Sequence, residues 1–123
     1  MGRYEIIDIN RQILITENCP LQINKYVLCD DRLGDQLMVQ LEFQNLGQKE
    51  IKDVHIELVS FGETRLICEH IYRSIDLAAG ANSGLSEAIY LSGNNTDSFR
   101  IRCKQILFAD TGIWDNIAEE FYA

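Results

Sequence analysis

Apolar and polar residues alternate along much of the chain, a pattern typical of β-strands with one buried face. The clearest run is 35–46, in which one parity is apolar at Leu37, Val39, Leu41 and Phe43. A polar stretch rich in turn residues follows, and a second alternating run then carries Val54, Ile56 and Leu58. Two alternating runs joined by turn chemistry are typical of a β-hairpin, so we predict that these two strands pair antiparallel.

Weaker alternation predicts further strands at 21–29, 65–77, 85–91 and 98–108. In the last of these the apolar parity changes after Cys103, which predicts either a β-bulge near Lys104-Gln105 or burial on both faces. A turn at 110–112 precedes a return strand at 113–114. At the N-terminus we predict a small hairpin formed by residues 3–9 and 12–15, with its turn at 10–11. For residues 116–123 we predict one helical turn or a frayed tail.

About seven to nine short strands, regularly spaced turns and no sustained helical period predict an all-β fold. We expect a two-sheet, antiparallel, Ig-like β-sandwich. The chain of 123 residues fits one domain. We therefore expect a single domain over 1–123, with 1–17 as an N-terminal strand or hairpin extension and 116–123 as a C-terminal tail.

The chain carries 11 basic and 19 acidic residues, for a formal net charge of −8. Nucleic acids and anionic membranes are bound by clustered cations, so we expect neither as a partner. Over residues 1–8 the longest apolar run is two residues, Ile6-Ile7, and no apolar stretch of the sequence reaches the length of a membrane span. We therefore expect no signal peptide, no membrane insertion and a cytoplasmic location.

Four cysteines, Cys19, Cys29, Cys68 and Cys103, are spaced too widely for a zinc or redox motif. In a reducing compartment they are expected to be free, buried thiols. A disulfide between Cys68 and Cys103 stays open, because both lie on strand-like runs and could face each other.

Candidate chemistry is sparse. The acidic cluster Asp30, Asp31 and Asp35 lacks the spacing of a calcium loop, so we expect a solvated turn. His55 and His70 have no triad pattern or metal-ligand spacing around them, so solvation of His55 and structural packing of His70 are expected. We therefore predict no catalytic residue, no cofactor-binding residue and no metal ligand.

Two sets of side chains remain as candidate contact surfaces. Alternating positions of the strand at 98–108 carry Arg100, Arg102 and Lys104, which form a basic ribbon on one face. We expect this ribbon to pair with acidic residues of a neighbouring strand. The alternative is that it faces an acidic partner. The aromatics Tyr26, Tyr72, Tyr90 and Trp114 could bind a carbohydrate or a protein if exposed. For Trp114 we expect packing beside Phe108 at the end of the core.

From Asn18 to Asp115 the chain resembles the small Ig-like β-sandwich domains of the FxLYD type found in uncharacterised bacterial proteins. Three stretches carry the resemblance: Phe43-Gln44-Asn45, the Leu77-to-Gly80 loop, and Phe108 to Trp114, which is similar to the family's F-x-D-G-x-x-W. Thr111 and Gly112 depart from its Asp-Gly order. These 123 residues contain neither the zinc ribbon nor the membrane segment that often accompanies such domains. The resemblance implies a sandwich fold and no specific activity.

Together these observations predict a non-catalytic protein-interaction or scaffold module that presents a sheet edge or an end loop to a protein partner or to itself. The alternative is a carbohydrate- or small-ligand-binding module that uses the loop at Asp30-Asp31 or exposed tyrosines. A hydrolase would require a deep pocket containing His70 or paired carboxylates.

Overall fold

A computed structural model of the chain describes residues 4–11, 13–16, 18–34, 36–61, 66–91 and 98–122. In these ranges the regular structure is all β, with no helix, and therefore no helix that could span a membrane. The strands are β1 (Tyr4–Asn10), β2 (Leu21–Asp31), β3 (Gln36–Asn45), β4 (Ile51–Phe61), β5 (Leu66–Tyr72), β6 (Asn82–Leu85), β7 (Ile89–Tyr90), β8 (Ser98–Phe108) and β9 (Ile113–Asp115).

The strands form two antiparallel sheets. The first sheet has the order β1-β2-β3-β6, with β7 also paired to β3, and the second has the order β5-β4-β8-β9. Their apolar rows meet in one buried cluster that takes Leu41 and Phe43 from β3, Ile56 and Leu58 from β4, and Ile106 from β8. The predicted all-β, two-sheet antiparallel sandwich is confirmed.

The bulge predicted in β8 is confirmed. Cys103 pairs with Ile56 and Gln105 pairs with His55, which leaves Lys104 as the extra residue. The bulge restores the apolar parity, since Cys103 before it and Ile106 after it are 1% and 0% exposed. The predicted β8–β9 hairpin is also confirmed, with Ile106 opposite Trp114.

The predicted hairpin between the strand at 35–46 and the strand carrying Val54, Ile56 and Leu58 is wrong. β3 lies in the first sheet and β4 in the second, so the connection between them crosses the sandwich. Asn45 holds this crossing: its side-chain amide donates to the carbonyl oxygens of Lys49 (2.8 Å) and Leu77 (3.0 Å), and its carbonyl oxygen accepts from Gly47 N (2.9 Å). A polar stretch between two alternating runs predicts only that the chain reverses its direction. A hairpin within one sheet and a crossing between two sheets both provide that reversal.

The N-terminal hairpin is wrong as well. β1 pairs antiparallel with β2, and Leu14 bridges Ile23 of β2, so the N-terminal segment lies along the edge of the first sheet. Gln12 lies outside the described residues. The strand predicted at 85–91 is two short strands, β6 and β7, and the strand predicted at 65–77 ends at Tyr72, with Leu77 bridging Ile51. The tail forms no helical turn in the described residues, and Tyr122 is buried in the core.

Candidate functional site

The acidic loop after β2 is a structural turn. Asp31 is 2% exposed, and its Oδ1 accepts a hydrogen bond from Gly34 N at 3.2 Å. Asp35 lies outside the described residues. Among the side chains that the structure describes, no group of three or more His, Cys, Asp or Glu could hold a metal ion. The carboxylate of Asp31 therefore closes the β2–β3 turn, where a solvated loop was expected.

His70 lies beside a small groove of about 260 Å³ that is lined in part by Tyr72, Ser86 and Glu87. Its Nε2 is 3.7 Å from a carboxylate oxygen of Glu87, and its ring packs on Tyr72 at 4.4 Å. The Tyr72 hydroxyl contacts Ser86 Oγ at 3.2 Å, and burial raises the pKa of Tyr72 to about 12. The Ser86 hydroxyl also accepts from Leu41 N (3.0 Å), so it serves as a backbone link between β3 and this loop.

That groove is poorly suited to hydrolysis. Its volume lies below the ~300–1,000 Å³ usual for ligand pockets. A serine nucleophile needs a base within hydrogen-bond distance, whereas the Ser86 hydroxyl contacts the Tyr72 hydroxyl, Leu41 N and the Glu87 carbonyl oxygen. The structural role expected for His70 fits this arrangement.

The side chains of the basic ribbon on β8 contact other residues of the same chain. Arg102 Nε donates to Glu57 Oε1 of the adjacent strand β4 at 2.9 Å, and both side chains are buried. Lys104 Nζ lies 3.7 Å from a carboxylate oxygen of Glu119. The guanidinium groups of Arg100 and Arg102 stack over Phe121, 5.0 and 5.1 Å from its ring centroid. The expected pairing with an acidic residue of the neighbouring strand is confirmed for Arg102.

His55, expected to be solvated, is half-buried beside this ion pair, with 22% of its side chain exposed and its Nε2 3.6 Å from a carboxylate oxygen of Glu69. Burial tends to raise the pKa of Glu57, but the hydrogen bond and charge of Arg102 outweigh it, with help from Lys104 and His55. The pKa of Glu57 is therefore held below its ordinary value.

The cysteines are free and buried, as expected. The Cys68–Cys103 disulfide that the sequence left open does not form, because Cys68 on β5 and Cys103 on β8 flank β4 on opposite sides. Two strand spacings amount to about 10 Å, beyond the ~7 Å Cα separation that a disulfide tolerates. Cys103 Sγ instead lies 3.8 Å from the Gln105 carbonyl oxygen and influences the pKa of Cys19, whose Sγ lies 3.6 Å from the Tyr122 hydroxyl.

Hydrogen bonding within this cluster changes the thiol acidities. The contact from Cys103 lowers the pKa of Cys19 to about 7 against the opposing effect of burial, while the same contact and burial raise the pKa of Cys103. The two residues are only 8% and 1% exposed, so the cluster lies inside the core. The Tyr122 hydroxyl donates to the Leu21 carbonyl oxygen at 2.8 Å and anchors the tail there.

The four aromatics considered as a contact surface are dispersed. Tyr72 is buried, Tyr26 is half-buried edge-on to Phe99 with ring centroids 5.4 Å apart, and Tyr90 is 42% exposed. Trp114 packs, half-buried, against the main core together with Phe108, as expected. Of the four, Tyr90 alone presents a largely open ring, so they form no common binding platform.

The outer face of the first sheet, which points away from the core, is unexpectedly apolar. Val27, Cys29 and Met38 form a second buried cluster there, with Ala88 packed against it. Around this cluster runs a groove of about 600 Å³, which we call the outer groove. Its lining is Tyr4, Ile6, Ile9, Lys25, Val27, Cys29, Met38, Gln40, Leu85, Ala88 and Tyr90. Among the lining residues that the structure describes, Lys25 is the one ionisable side chain apart from the cysteine and tyrosines, although the chain carries a net charge of −8.

The edge of the same sheet continues this apolar surface. Within the described residues β1 pairs with β2 alone, and six large apolar side chains between positions 4 and 15 are 39–60% exposed. They are Tyr4, Ile6, Ile7, Ile9, Ile13 and Ile15, which together with β1 we call the apolar edge. β1 contains no Lys, Arg or Pro, the residues that commonly protect an edge strand, although it has a bulge at Ile7.

The two acidic residues of β1 are partnered within the chain. Glu5 forms an ion pair with Arg32, and the Asp8 carboxylate accepts a hydrogen bond from the Tyr26 hydroxyl at 3.4 Å. Sequence reasoning missed the apolar edge because it assigned this segment to a local hairpin. A signal was present: Ile6, Ile7 and Ile9 leave the strand without a fully polar face, which is unusual for a hairpin at a surface.

Compared with models of protein families, with curated proteins and with solved structures, the chain gives no significant match in any of the three searches. The resemblance to FxLYD-type domains therefore stays a prediction. On the surface of this chain, the outer groove and the apolar edge form the candidate functional site.

Proposed function

We propose that the protein is a non-catalytic interaction module that binds a protein partner through the outer groove and apolar edge of its first sheet. The observation that carries this proposal is the continuity of the two surfaces, since Tyr4, Ile6 and Ile9 belong to both. A sheet edge offers backbone hydrogen bonds, and the neighbouring groove offers side-chain pockets, which is the arrangement used in β-strand addition.

The size of the surface supports this role. Five apolar lining residues of the outer groove are 39–59% exposed: Tyr4, Ile6, Ile9, Leu85 and Tyr90. They present on the order of 400 Å² of apolar surface, comparable to the largest patches on monomeric proteins, which are often functional. Covering that area would contribute about 10 kcal/mol before the costs of association are subtracted.

Site-specific photocrosslinking tests this function. A photoreactive phenylalanine analogue is placed at Ile6 or at Tyr90, and the protein is irradiated in the cells that make it. Ile67 on β5 is the matched control, because it is 48% exposed on a different sheet. We expect discrete protein adducts from the first two positions and none from the control. Equal labelling at all three positions, or no adduct at any, would contradict the proposal.

An apolar small ligand is the second candidate, favoured by one observation. The outer groove of about 600 Å³ lies within the ~300–1,000 Å³ range of ligand pockets, and its lining is mostly apolar. Native mass spectrometry of freshly purified protein separates the two candidates, because a copurified ligand adds a fixed small mass. A carbohydrate ligand has less support, since among the four aromatics Tyr90 alone is largely open.

We also propose that the module belongs with the FxLYD-type, Ig-like sandwiches and resides in the cytoplasm. Family membership is supported by the two residues of the F-x-N motif. The ring of Phe43 lies in the core, and the side chain of Asn45 makes the hydrogen bonds that hold the crossing between the sheets. The cytoplasmic location is supported by four free thiols, which are usual in a reducing compartment.

A further inference from the structure

Resting on the proposed interaction function, we infer that the partner at the apolar edge is a second copy of this chain. In this arrangement β1 of one copy pairs antiparallel with β1 of the other across a two-fold axis, so that the two first sheets become one continuous sheet. A two-fold contact uses the same patch on both molecules, so it requires a strand that is complementary to itself. The sequence and bulge of β1 meet that requirement in one register.

The bulge decides which side chains share a face. Ile6 pairs with Cys29 and Ile9 with Val27, and all four line the outer groove, so Ile6 and Ile9 face the same way despite their odd spacing. In the register that places Ile6 opposite Ile9 of the second copy, both Ile pairs lie on that outer face. The two outer grooves then meet along an unbroken apolar strip.

Neighbouring registers are unfavourable, because they place either two carboxylates, or side chains from different faces of the strand, opposite each other. Sliding the strands two positions one way places Glu5 opposite Asp8, and one position the other way places Asp8 opposite Asp8. Like charges directly opposite each other destabilise a strand pair. Centring the pair on Ile7 places Ile6 opposite Asp8. Ile6 lies on the outer face, whereas Asp8 pairs with Leu28 on the face toward the core, so the two side chains would point to opposite sides of the sheet. The inferred register places Glu5 opposite Asn10 and the bulge residue Ile7 opposite Asp8, so no carboxylate faces another.

Charge on the rest of the protein does not prevent this contact. The charge of Glu5 is compensated by the ion pair with Arg32, and the Asp8 carboxylate accepts a hydrogen bond from the Tyr26 hydroxyl. Repulsion between two copies of charge −8 acts at long range and is screened over about 8 Å at physiological ionic strength. Added salt should therefore strengthen the dimer, whereas it would weaken docking onto a basic partner.

The available area is small for a stable dimer. The six apolar side chains of the apolar edge are 39–60% exposed and offer on the order of 500 Å² per copy, to which the backbone edge adds. Stable interfaces usually bury about 800 Å² per partner. The dimer is therefore expected to be reversible, with a dissociation constant in the micromolar range.

Cysteine crosslinking reads the register directly. Two variants, Ile6→Cys and Ile9→Cys, are made with tags of different size in a Cys29→Ala background, because Cys29 pairs with position 6 within the chain and would compete for the introduced thiol. They are mixed at about 100 μM. Oxidised glutathione is the oxidant: its disulfide exchanges with the introduced thiols to form the interchain bond and releases two reduced glutathiones. We expect the mixed disulfide between the two variants to dominate. Disulfides of Ile6→Cys with itself should be rare, because that separation is about 10 Å along the strand.

The controls are the wild-type chain, which reports any reaction of the four buried cysteines, and Ile67→Cys, an exposed position on β5. Light scattering behind size exclusion gives the mass independently. The wild type should approach twice the 14.1 kDa of one chain at high concentration. Ile6→Lys should weaken dimerisation by about tenfold or more, and Ile67→Lys should leave it unchanged.

The outcomes separate this inference from the proposed function. A protein that stays a monomer at 100 μM and forms no mixed disulfide overturns the inference. If the photoreactive group at Ile6 still captures a different protein, the interaction function stands without it. A dominant Ile6→Cys self-disulfide overturns the register and the charge reasoning behind it. If neither crosslinker reacts at the apolar edge, both proposals fall.

Discussion

The buried ion pair between Glu57 and Arg102 offers the sharpest test of how the second sheet is stabilised. The two residues are 3% and 6% exposed, and Arg102 Nε lies 2.9 Å from Glu57 Oε1. Replacing Arg102 with Met keeps most of the side-chain volume and leaves the Glu57 carboxylate buried without its cation. Breaking one partner of a buried pair usually costs about 3–5 kcal/mol, because the remaining charge is uncompensated. We expect a loss of that size in the free energy of unfolding.

Urea unfolding at pH 7 measures the effect, with an unchanged slope showing that the two end states are comparable. The double variant Glu57→Met with Arg102→Met should recover most of the loss, since apolar groups of similar volume can replace a buried pair. Lys104→Met is the matched control. Lys104 is a cation of the same strand whose side chain is 42% exposed beside Glu119, so its loss should cost less than about 1 kcal/mol.

A pH titration provides a second readout. The pKa of Glu57 is lower in the folded protein than the ~4.3 of an unfolded glutamate. The pair therefore contributes its full stabilisation above about pH 4.3 and loses it as the pH falls through the lower folded-state pKa. The double variant should lack this component. The reasoning is refuted if Arg102→Met costs under about 1 kcal/mol, or if the double variant is no more stable than the single one.

Three further substitutions are expected to change stability in the stated directions, each measured by denaturant or thermal unfolding. Thr111→Gly should stabilise by about 1 kcal/mol, because Thr111 has φ +72°, a conformation costly for a β-branched residue, and a fall in melting temperature would contradict this. Asn45→Ala should cost at least about 2 kcal/mol, because two inter-segment hydrogen bonds are lost, whereas Gln44→Ala, as control, should cost less. Tyr122→Phe should cost about 1–3 kcal/mol by leaving the Leu21 carbonyl without its donor, and an unchanged midpoint would show that water replaces it.

The turn at Thr111 bears on the proposed membership in the FxLYD-type family, because this chain departs from that family's pattern there. The left-handed conformation falls on Thr111, the position where the family's Asp-Gly has glycine. Gly112 is needed for a different reason, since a Cβ there would lie 2.9 Å from Asp110 Oδ1. The hairpin therefore forms with the order of these two residues reversed, at the cost of one strained residue.

Features that depend on neighbours in the chain could be predicted well. Alternation identified β3, β4 and β8, because the buried and exposed faces of a strand are set by its own residues. The change of parity after Cys103 located the β8 bulge for the same reason. The pairing of Arg102 with an acidic residue followed from its place on one face of a strand.

Pairings between distant segments were the failures. Turn residues at 46–50 predict a change of direction, but a hairpin and a crossing between sheets both provide one, and Asn45 decides between them through contacts with Leu77. Cys103 interacts with Cys19, which lies 84 positions away in the sequence, and not with Cys68. Such contacts depend on which strands become neighbours, and no local pattern encodes this.

The sequence alone determined that the protein is built of β-strands, which face of most strands is apolar, and that obvious catalytic and metal-binding motifs are missing. Only the tertiary structure decided which surfaces remain uncovered. β1 is apolar in any arrangement, but in a local hairpin it would have been one arm of a small extension. Because it pairs with β2 at the end of the first sheet, Ile6 and Ile9 stay exposed beside the outer groove. Burial belongs to the whole packed molecule, so a surface for a partner appears only once every strand has its place.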